Sequence, residues 1–221
     1  MPVIRFALST LISANARFVA CGETDSAPDA RELFDRHCPN LIMLGLMLRG
    51  GDGIGLIKDF HKSNPAVRYI VLTMRDDPLW IQRAFHAGAT GYLVAQDDIA
   101  EILGMLEQAL DGELHASDKV CRALLENLAH GVIEQIDSEM RMLSDRELQV
   151  FCLIGRGFGA SRLATELHLS VKTIETHQAH IKEKLGLHTA AELSDKAARW
   201  MLHSMRRSLQ LKKLLKTAGR F

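Results

Sequence analysis

Arg162-Leu163-Ala164-Thr165-Glu166-Leu167-His168-Leu169-Ser170, running without a gap into Val171 to Leu187, is the stretch on which the reading of this chain turns. Leu163, Ala164 and Leu167 share one stripe of a short helix, Leu169-Ser170 ends it and supplies a cap, and a second amphipathic helix follows at once. That length and punctuation is a helix-turn-helix. On a wheel of about 100° per residue with Ile174 at zero, Ile181 and Leu185 lie within about 20° of it, with His177 and Gln178 at the flanks, so that side is core. The opposite arc collects Lys172, Glu175, Thr176, Ala179, His180 and Glu183.

A helix that reads DNA presents mainly its N-terminal residues to base edges, which selects Lys172, Glu175, Thr176 and Ala179 as readers. Glu175 can accept from a cytosine amino group, and Thr176 and Ala179 can touch a thymine methyl. Thr173, His180 and Lys184 are better placed for phosphate. An isolated amphipathic helix with these residues would be read as a solvated face, so the neighbours decide. Upstream, Ser144-Asp145-Arg146-Glu147 is a capping box, stapled by Leu143 and Leu148. Downstream, Thr189-Ala190-Ala191-Glu192 repeats the box ahead of a last helix, and Leu193, Ala197, Trp200 and Met201 form an apolar seam along it.

Further outward the pattern changes. From Arg17 to Gly112, short strand-like runs (Phe18 to Cys21, Leu41 to Leu46, Tyr69 to Thr73, Thr90 to Val94) alternate with helical stretches near 27–37, 54–63, 77–87 and 97–111. Near-continuous apolar strands separated by helices imply a parallel sheet covered on both faces. Residues 113–140 read as a connector, partly helical from Ser117 to His130 with a break at Gly131.

The chain has 221 residues, 47% of them hydrophobic, and a formal charge of zero. That zero is a cancellation: residues 1–130 carry 12 basic and 17 acidic side chains, net −5, and residues 131–221 carry 15 and 10, net +5. Most of the basic excess sits in the last 21 residues, where Arg206, Arg207, Lys212, Lys213, Lys216 and Arg220 meet no acid. That extension serves either phosphate contact or as a solvated or pairing tail; in the first case its loss flattens the salt dependence of DNA binding. Cys21, Cys38, Cys121 and Cys152 are widely spaced, which argues against a disulfide framework or zinc site. Ala14-Asn15-Ala16 imitates a leader-cleavage site, but the apolar run before it is short and broken by Ser9 and Thr10. No apolar run approaches the ~20 residues of a membrane helix. A cytoplasmic protein without cofactor, metal or enzymatic activity is expected, since no nucleophile, base and orienting group converge.

Leu143-Ser-Asp-Arg-Glu147, Leu163-Ala164, Leu169-Ser-Val-Lys-Thr-Ile-Glu-Thr-His177 and Ile181-Lys-Glu-Lys-Leu-Gly186 together resemble the LuxR-type helix-turn-helix over about 55 residues. The resemblance implies a second helix in the major groove and a last helix that pairs two copies on an inverted repeat through Leu193, Ala197, Trp200 and Met201. One departure is Ala160-Ser161 where the family usually has Asn-Lys; Ser161 or Arg162 would then supply the phosphate contact.

Pro39 to Leu44, Asp52-Gly53, Val71-Leu-Thr-Met-Arg-Asp-Asp77 and Ala87-Gly-Ala-Thr-Gly-Tyr-Leu93 resemble, in order, the receiver of NarL/FixJ-class response regulators. Its chemistry is missing. Gly45 stands at the phosphoacceptor position, Ala95 at the lysine position, and Met1 to Phe6 aligns with the first helix, so the first strand and its Mg²⁺-holding acids are absent. Thr73 and Tyr92 are the retained switch positions and read here as core-edge residues. Asp52 is explained by capping rather than as a substitute phosphoacceptor.

The expected fold is thus α/β plus all-α: an incomplete doubly wound, flavodoxin-like receiver domain (1–112), a linker (113–140), a four-helix helix-turn-helix domain (141–201) and a basic extension (202–221). The gap left by the first strand would be closed by direct pairing of its neighbours into a four-stranded sheet, by a second chain, or by repacking, the first being favoured. Functionally, the pattern points to a regulator that binds double-stranded DNA as a homodimer independently of aspartyl phosphate. The alternatives are an interaction protein whose degenerate receiver antagonises another regulator or kinase, and a small-molecule sensor.

Overall fold

Arg68-Tyr69-Ile70-Val71-Leu72-Thr73 sends alternate side chains into two apolar layers, and the N-terminal half is arranged around it. In the computed structural model, which describes residues 2–94, 99–110, 114–118, 120, 121, 124 and 136–203, this stretch is strand β4 (Arg68–Thr73). β1 (Leu41–Leu44) pairs with it in parallel on one side and β5 (Gly91–Val94) on the other; β6 (His115–Ala116) adds to β5, giving a four-stranded parallel sheet in the order β1-β4-β5-β6.

Tyr69 and Val71 face helices α2 (Ala27–His37), α3 (Gly53–Ser63) and α4 (Pro78–His86), through Ala27, Ile57, Phe60 and Trp80. Ile70 and Leu72 face α5 (Ile99–Leu110) and the N-terminal helix α1 (Pro2–Ser13), which brings Ile4, Leu8 and Leu11. With both faces covered, consecutive strand residues are all buried, which is why the strands read as unbroken apolar runs. A two-residue hairpin, β2 (Met47–Leu48) with β3 (Gly51–Asp52), folds back from the end of β1. Gly53 makes that return possible: a Cβ there would lie 2.1 Å from the Gly45 carbonyl oxygen.

Two expectations need correction. Phe18 to Cys21 is not a strand: it has irregular backbone, and Val19 is 88% exposed. A strand is stabilised by its ladder, and among the described residues nothing pairs with this segment; nearby, a single isolated bridge joins Ser26 to Arg49. The sheet is four-stranded as expected, but its fourth strand is β6, from the stretch read as connector. Direct pairing across the gap does not occur, and among the described residues no strand pairs with the outer edge of β1.

The C-terminal half is helical: α6 (Ile136–Arg141), α7 (Asp145–Gly155), α8 (Ala160–Leu167), α9 (Val171–Lys184) and α10 over 190–203. The first box is complete, with Ser144 Oγ accepting from the Glu147 amide at 3.2 Å and Glu147 Oε2 from the Ser144 amide at 2.7 Å. The staple residues Leu143 and Leu148 are buried. In the second box Thr189 accepts from the Glu192 amide, but the return bond from Glu192 reaches the His188 amide, one residue further back. Ala95, most of the 113–140 connector and everything beyond residue 203 lie outside the described residues; of the helix expected over 117–130, residues 118, 120, 121 and 124 are helical.

Candidate nucleic-acid interface

The α8–α9 turn is built from local chemistry. Leu163, Ala164 and Leu167 are buried, and His168 adopts the left-handed conformation (φ 51°) that ends α8. The Leu169 amide then donates to the Ala164 carbonyl at 2.9 Å, a C-terminal capping bond. Ser170 restarts the chain, its Oγ accepting from the Thr173 amide at 3.0 Å. Ile174, Ile181 and Leu185 point inward, so the phase assigned to α9 matches its burial, and Lys172, Glu175, Thr176, Ala179 and His180 are exposed. The Thr176 hydroxyl donates to the Lys172 carbonyl at 3.0 Å, which leaves its methyl and its oxygen lone pairs to offer a base.

At the start of α8, Ser161 and Arg162 are exposed, and the Arg162 guanidinium stacks 3.7 Å from the centre of the Phe158 ring. This cation–π contact holds a long side chain that would otherwise lose entropy on meeting phosphate. The N-cap of α8, Gly159, provides no side-chain acceptor.

Lys184 belongs elsewhere. Its Nζ donates to Glu147 Oε2 at 2.6 Å, tying the end of α9 to the capping box of α7. Burial pushes the Glu147 carboxyl up, but bonds from Lys184 and the Ser144 amide outweigh it and hold it below the usual range. Lys184 thus pins α9 to α7 through Glu147, while its side chain stays 38% exposed. Thr173 is half-buried, and His180 Nδ1 lies 3.8 Å from Glu147 Oε1.

The seam expected to pair two copies is also internal. Leu193, Ala197, Trp200 and Met201 are all buried; Trp200 meets Phe151 edge-on at 6.0 Å, and a Cβ on Gly155 would stand 2.5 Å from the Ala197 carbonyl oxygen. α10 uses its apolar stripe to cover α7.

In the N-terminal half, Gly45 lies at the end of β1 and carries no side chain for chemistry. Thr73 and Tyr92 are buried and hydrogen-bonded locally: Thr73 Oγ1 accepts from the Arg75 amide, and the Tyr92 hydroxyl donates to the Arg75 carbonyl. Burial pushes the Tyr92 phenol well above its ordinary value. Asp52 caps α3, its Oδ1 accepting from the Gly55 amide at 2.6 Å, and burial raises its pKa against that bond. Among the described residues, no group of three His, Cys, Asp or Glu could hold a metal ion, and no helix is long and apolar enough to cross a membrane.

Reading the sequence missed a set of contacts between the halves. Asp145 accepts from Arg83 at 2.6 Å and Lys58 at 2.7 Å, Arg146 donates to the Gly51 carbonyl at 2.9 Å, and the Gln149 amide donates to the Leu46 carbonyl at 2.8 Å. No local signal marks them: Asp145 and Arg146 look like ordinary first-turn residues of a capped helix.

The chain was compared with known proteins. The response regulator receiver domain family matches residues 1–107, and the luxR family of bacterial regulatory proteins matches residues 141–197. The oxygen regulatory protein NreC of Staphylococcus carnosus is 28% identical over 180 residues, covering 78% of this chain and 83% of that protein. BvgA of Bordetella pertussis, named as a positive transcription regulator of virulence factors, is 28% identical over 199 residues, covering 90% and 93%. A solved structure of the RcsB response regulator of Salmonella typhimurium superposes with a TM-score of 0.62 over 90% of this chain and 92% of that one; at 22% identity it speaks to the fold alone. With a receiver-type half in front of a LuxR-family helix-turn-helix, the chain belongs to the NarL/FixJ class of response regulators, DNA-binding regulators of transcription.

Proposed function

We propose that this regulator binds an inverted-repeat DNA site as a homodimer and does so without aspartyl phosphate. The observation that carries the reading is the contrast between an exposed set of readers on α9 and a glycine at the phosphoacceptor position. Lys172, Glu175, Thr176 and Ala179 make the base contacts, and Thr173, His180, Ser161 and Arg162 meet phosphate. Gly45 has no nucleophile to accept a phosphoryl group. With its apolar stripe engaged on α7, α10 pairs two copies through its outer face, where Glu192, Ser194, Asp195 and Leu202 are exposed. The halves divide at the connector, so that 1–112 acts as a pseudo-receiver and 141–201 as the reader.

Selection of bound sites from random DNA, with and without acetyl phosphate, tests this. The expected product is a two-half-site motif, identical in both arms; enrichment only with acetyl phosphate would overturn phosphate independence. A second reading, an interaction protein that antagonises another regulator, is favoured by one feature: among the described residues no strand pairs with the outer edge of β1. A mobility-shift titration of the purified protein separates the two, since a strong specific shift without partner excludes a pure antagonist.

A further inference from the structure

The first turn of α7 faces three ways. Towards its own half, Glu147 holds Lys184 of α9, and Arg146 Nη2 donates to the Leu167 carbonyl at the end of α8 at 2.8 Å. Towards the N-terminal half, Arg146 Nη1 donates to Gly51, and the fully buried Gln149 donates to Leu46, the residue after Gly45. Gln149 Oε1 in turn accepts from Arg146 Nη1 at 2.8 Å, so the two side chains brace each other. To the side, Asp145 is gripped by Arg83 and Lys58, and Arg83 Nη2 also donates to the Met140 and Leu143 carbonyls at 2.8 and 2.7 Å, closing the end of α6. The side chains of Asp145 and Arg83 are 11% and 14% exposed, so this pair is not a solvated surface bridge.

We infer that the first turn of α7 is an interdomain latch, which fixes the DNA-reading half on the segment following Gly45 by hydrogen bonds and ion pairs that require no phosphate. The ground beside a receiver's phosphoacceptor position is here occupied by the reader's own helix. Because Lys172, Glu175, Thr176 and Ala179 remain exposed in this arrangement, the latched state presents the reading face instead of hiding it. Arg146 makes the coupling direct: one guanidinium bonds the N-terminal half with one nitrogen and the helix-turn-helix with the other. An unpaired buried charge is costly, so removing Arg83 or Asp145 singly releases the contact instead of merely loosening it.

The inference does not rest on DNA binding, dimer pairing or phosphate independence, and its test uses none of them. Amide hydrogen exchange is followed in the full chain for wild type, Arg83→Met, Asp145→Ala, the double variant, and Lys58→Ala, which alters a half-exposed partner and carries the least risk to folding. Exchange in residues 46–52 and in 145–149 is expected to rise together, about tenfold in Arg83→Met and Asp145→Ala and less in Lys58→Ala, while β4 and α9 keep their protection. The double variant should add little to either single one, as members of one network do. If Arg83→Met also loses protection in β4, and so has unfolded, Lys58→Ala and Asp145→Ala decide. Wild-type exchange in 46–52 in both of these would overturn the latch.

Discussion

The segment around Gly45 and the turn between α8 and α9 lie in the two halves of one chain, and they differ in what they retain. Around Gly45 the packing of a receiver persists, with Tyr69, Val71 and Tyr92 buried against α3 and α4, and Gly45 itself brings no side chain. At the α8–α9 turn Ile174 and Ile181 hold the helix, and the outer arc exposes donors, acceptors and methyl groups. Packing and chemistry separate because packing asks only for apolar volume at the right period, whereas chemistry asks for particular functional groups at particular atoms. The hydroxyls of Thr73 and Tyr92 find local partners at Arg75.

The largest effect on this comparison should come from Gly155→Val. Side-chain atoms there meet the Ala197 carbonyl at 2.5 Å and Met201 at 2.6 Å, so α10 must leave α7. A loss of about 3 kcal/mol is expected in the C-terminal half, with the N-terminal half unaffected, seen as two separate transitions in thermal unfolding. A single unchanged transition would show that α10 does not cover α7 as described.

Next comes specificity. Glu175→Ala and Thr176→Ala should each relax preference at one base position by about 1–3 kcal/mol, with little change in binding to random DNA, measured by competition titration at fixed salt. Equal losses on all sequences would move these residues from the reading set to the phosphate set.

Lys184→Met is a smaller change with a definite pH signature. The Glu147 carboxyl is held below its unfolded value, so its contribution is fully present above pH ~4.3 and is lost as pH falls through the depressed folded value. Removing Lys184 should therefore cost about 1 kcal/mol at neutral pH and raise the midpoint of acid unfolding. DNA affinity should fall only as far as stability does; a loss of affinity with a reduced salt slope would return Lys184 to the phosphate contacts.

Gly45→Asp should do the least. Among the described residues a Cβ at Gly45 meets only the Leu72 carbonyl oxygen, at 3.6 Å, an ordinary contact. With Ala95 where the resemblance expects a lysine, the new carboxylate should take up no phosphate from acetyl phosphate, read by mass. Incorporation would show that the vacated site needs one group rather than several.

Much of this molecule was legible in the sequence. The α2 boundaries, the three central strands, the Ser144 box and the phase of α9 all follow from short-range rules, in which a residue's role is set by neighbours a few positions away. The misreadings share a cause. Leu193, Ala197, Trp200 and Met201 form a stripe that is apolar whether it meets α7 or a second copy, and only the bundle shows that α7 takes it. Lys184 reads along the chain as an unpartnered cation, and only the fold shows Glu147, 37 residues earlier, under its amine. Phe18 to Cys21 has the composition of a strand without a ladder to join.

What the sequence by itself determined is therefore the two-part order of an α/β half and a helical half, most of the helices, three of the sheet's strands, and the inward faces of the helices. Only the tertiary structure decided which polar partner each long side chain takes and where the two halves meet. Arg83 and Asp145 are 62 residues apart, and Gln149 and Leu46 are 103 apart. Periodicity and capping act over one or two turns, while a buried hydrogen bond is indifferent to separation along the chain and depends on which surfaces the fold brings together.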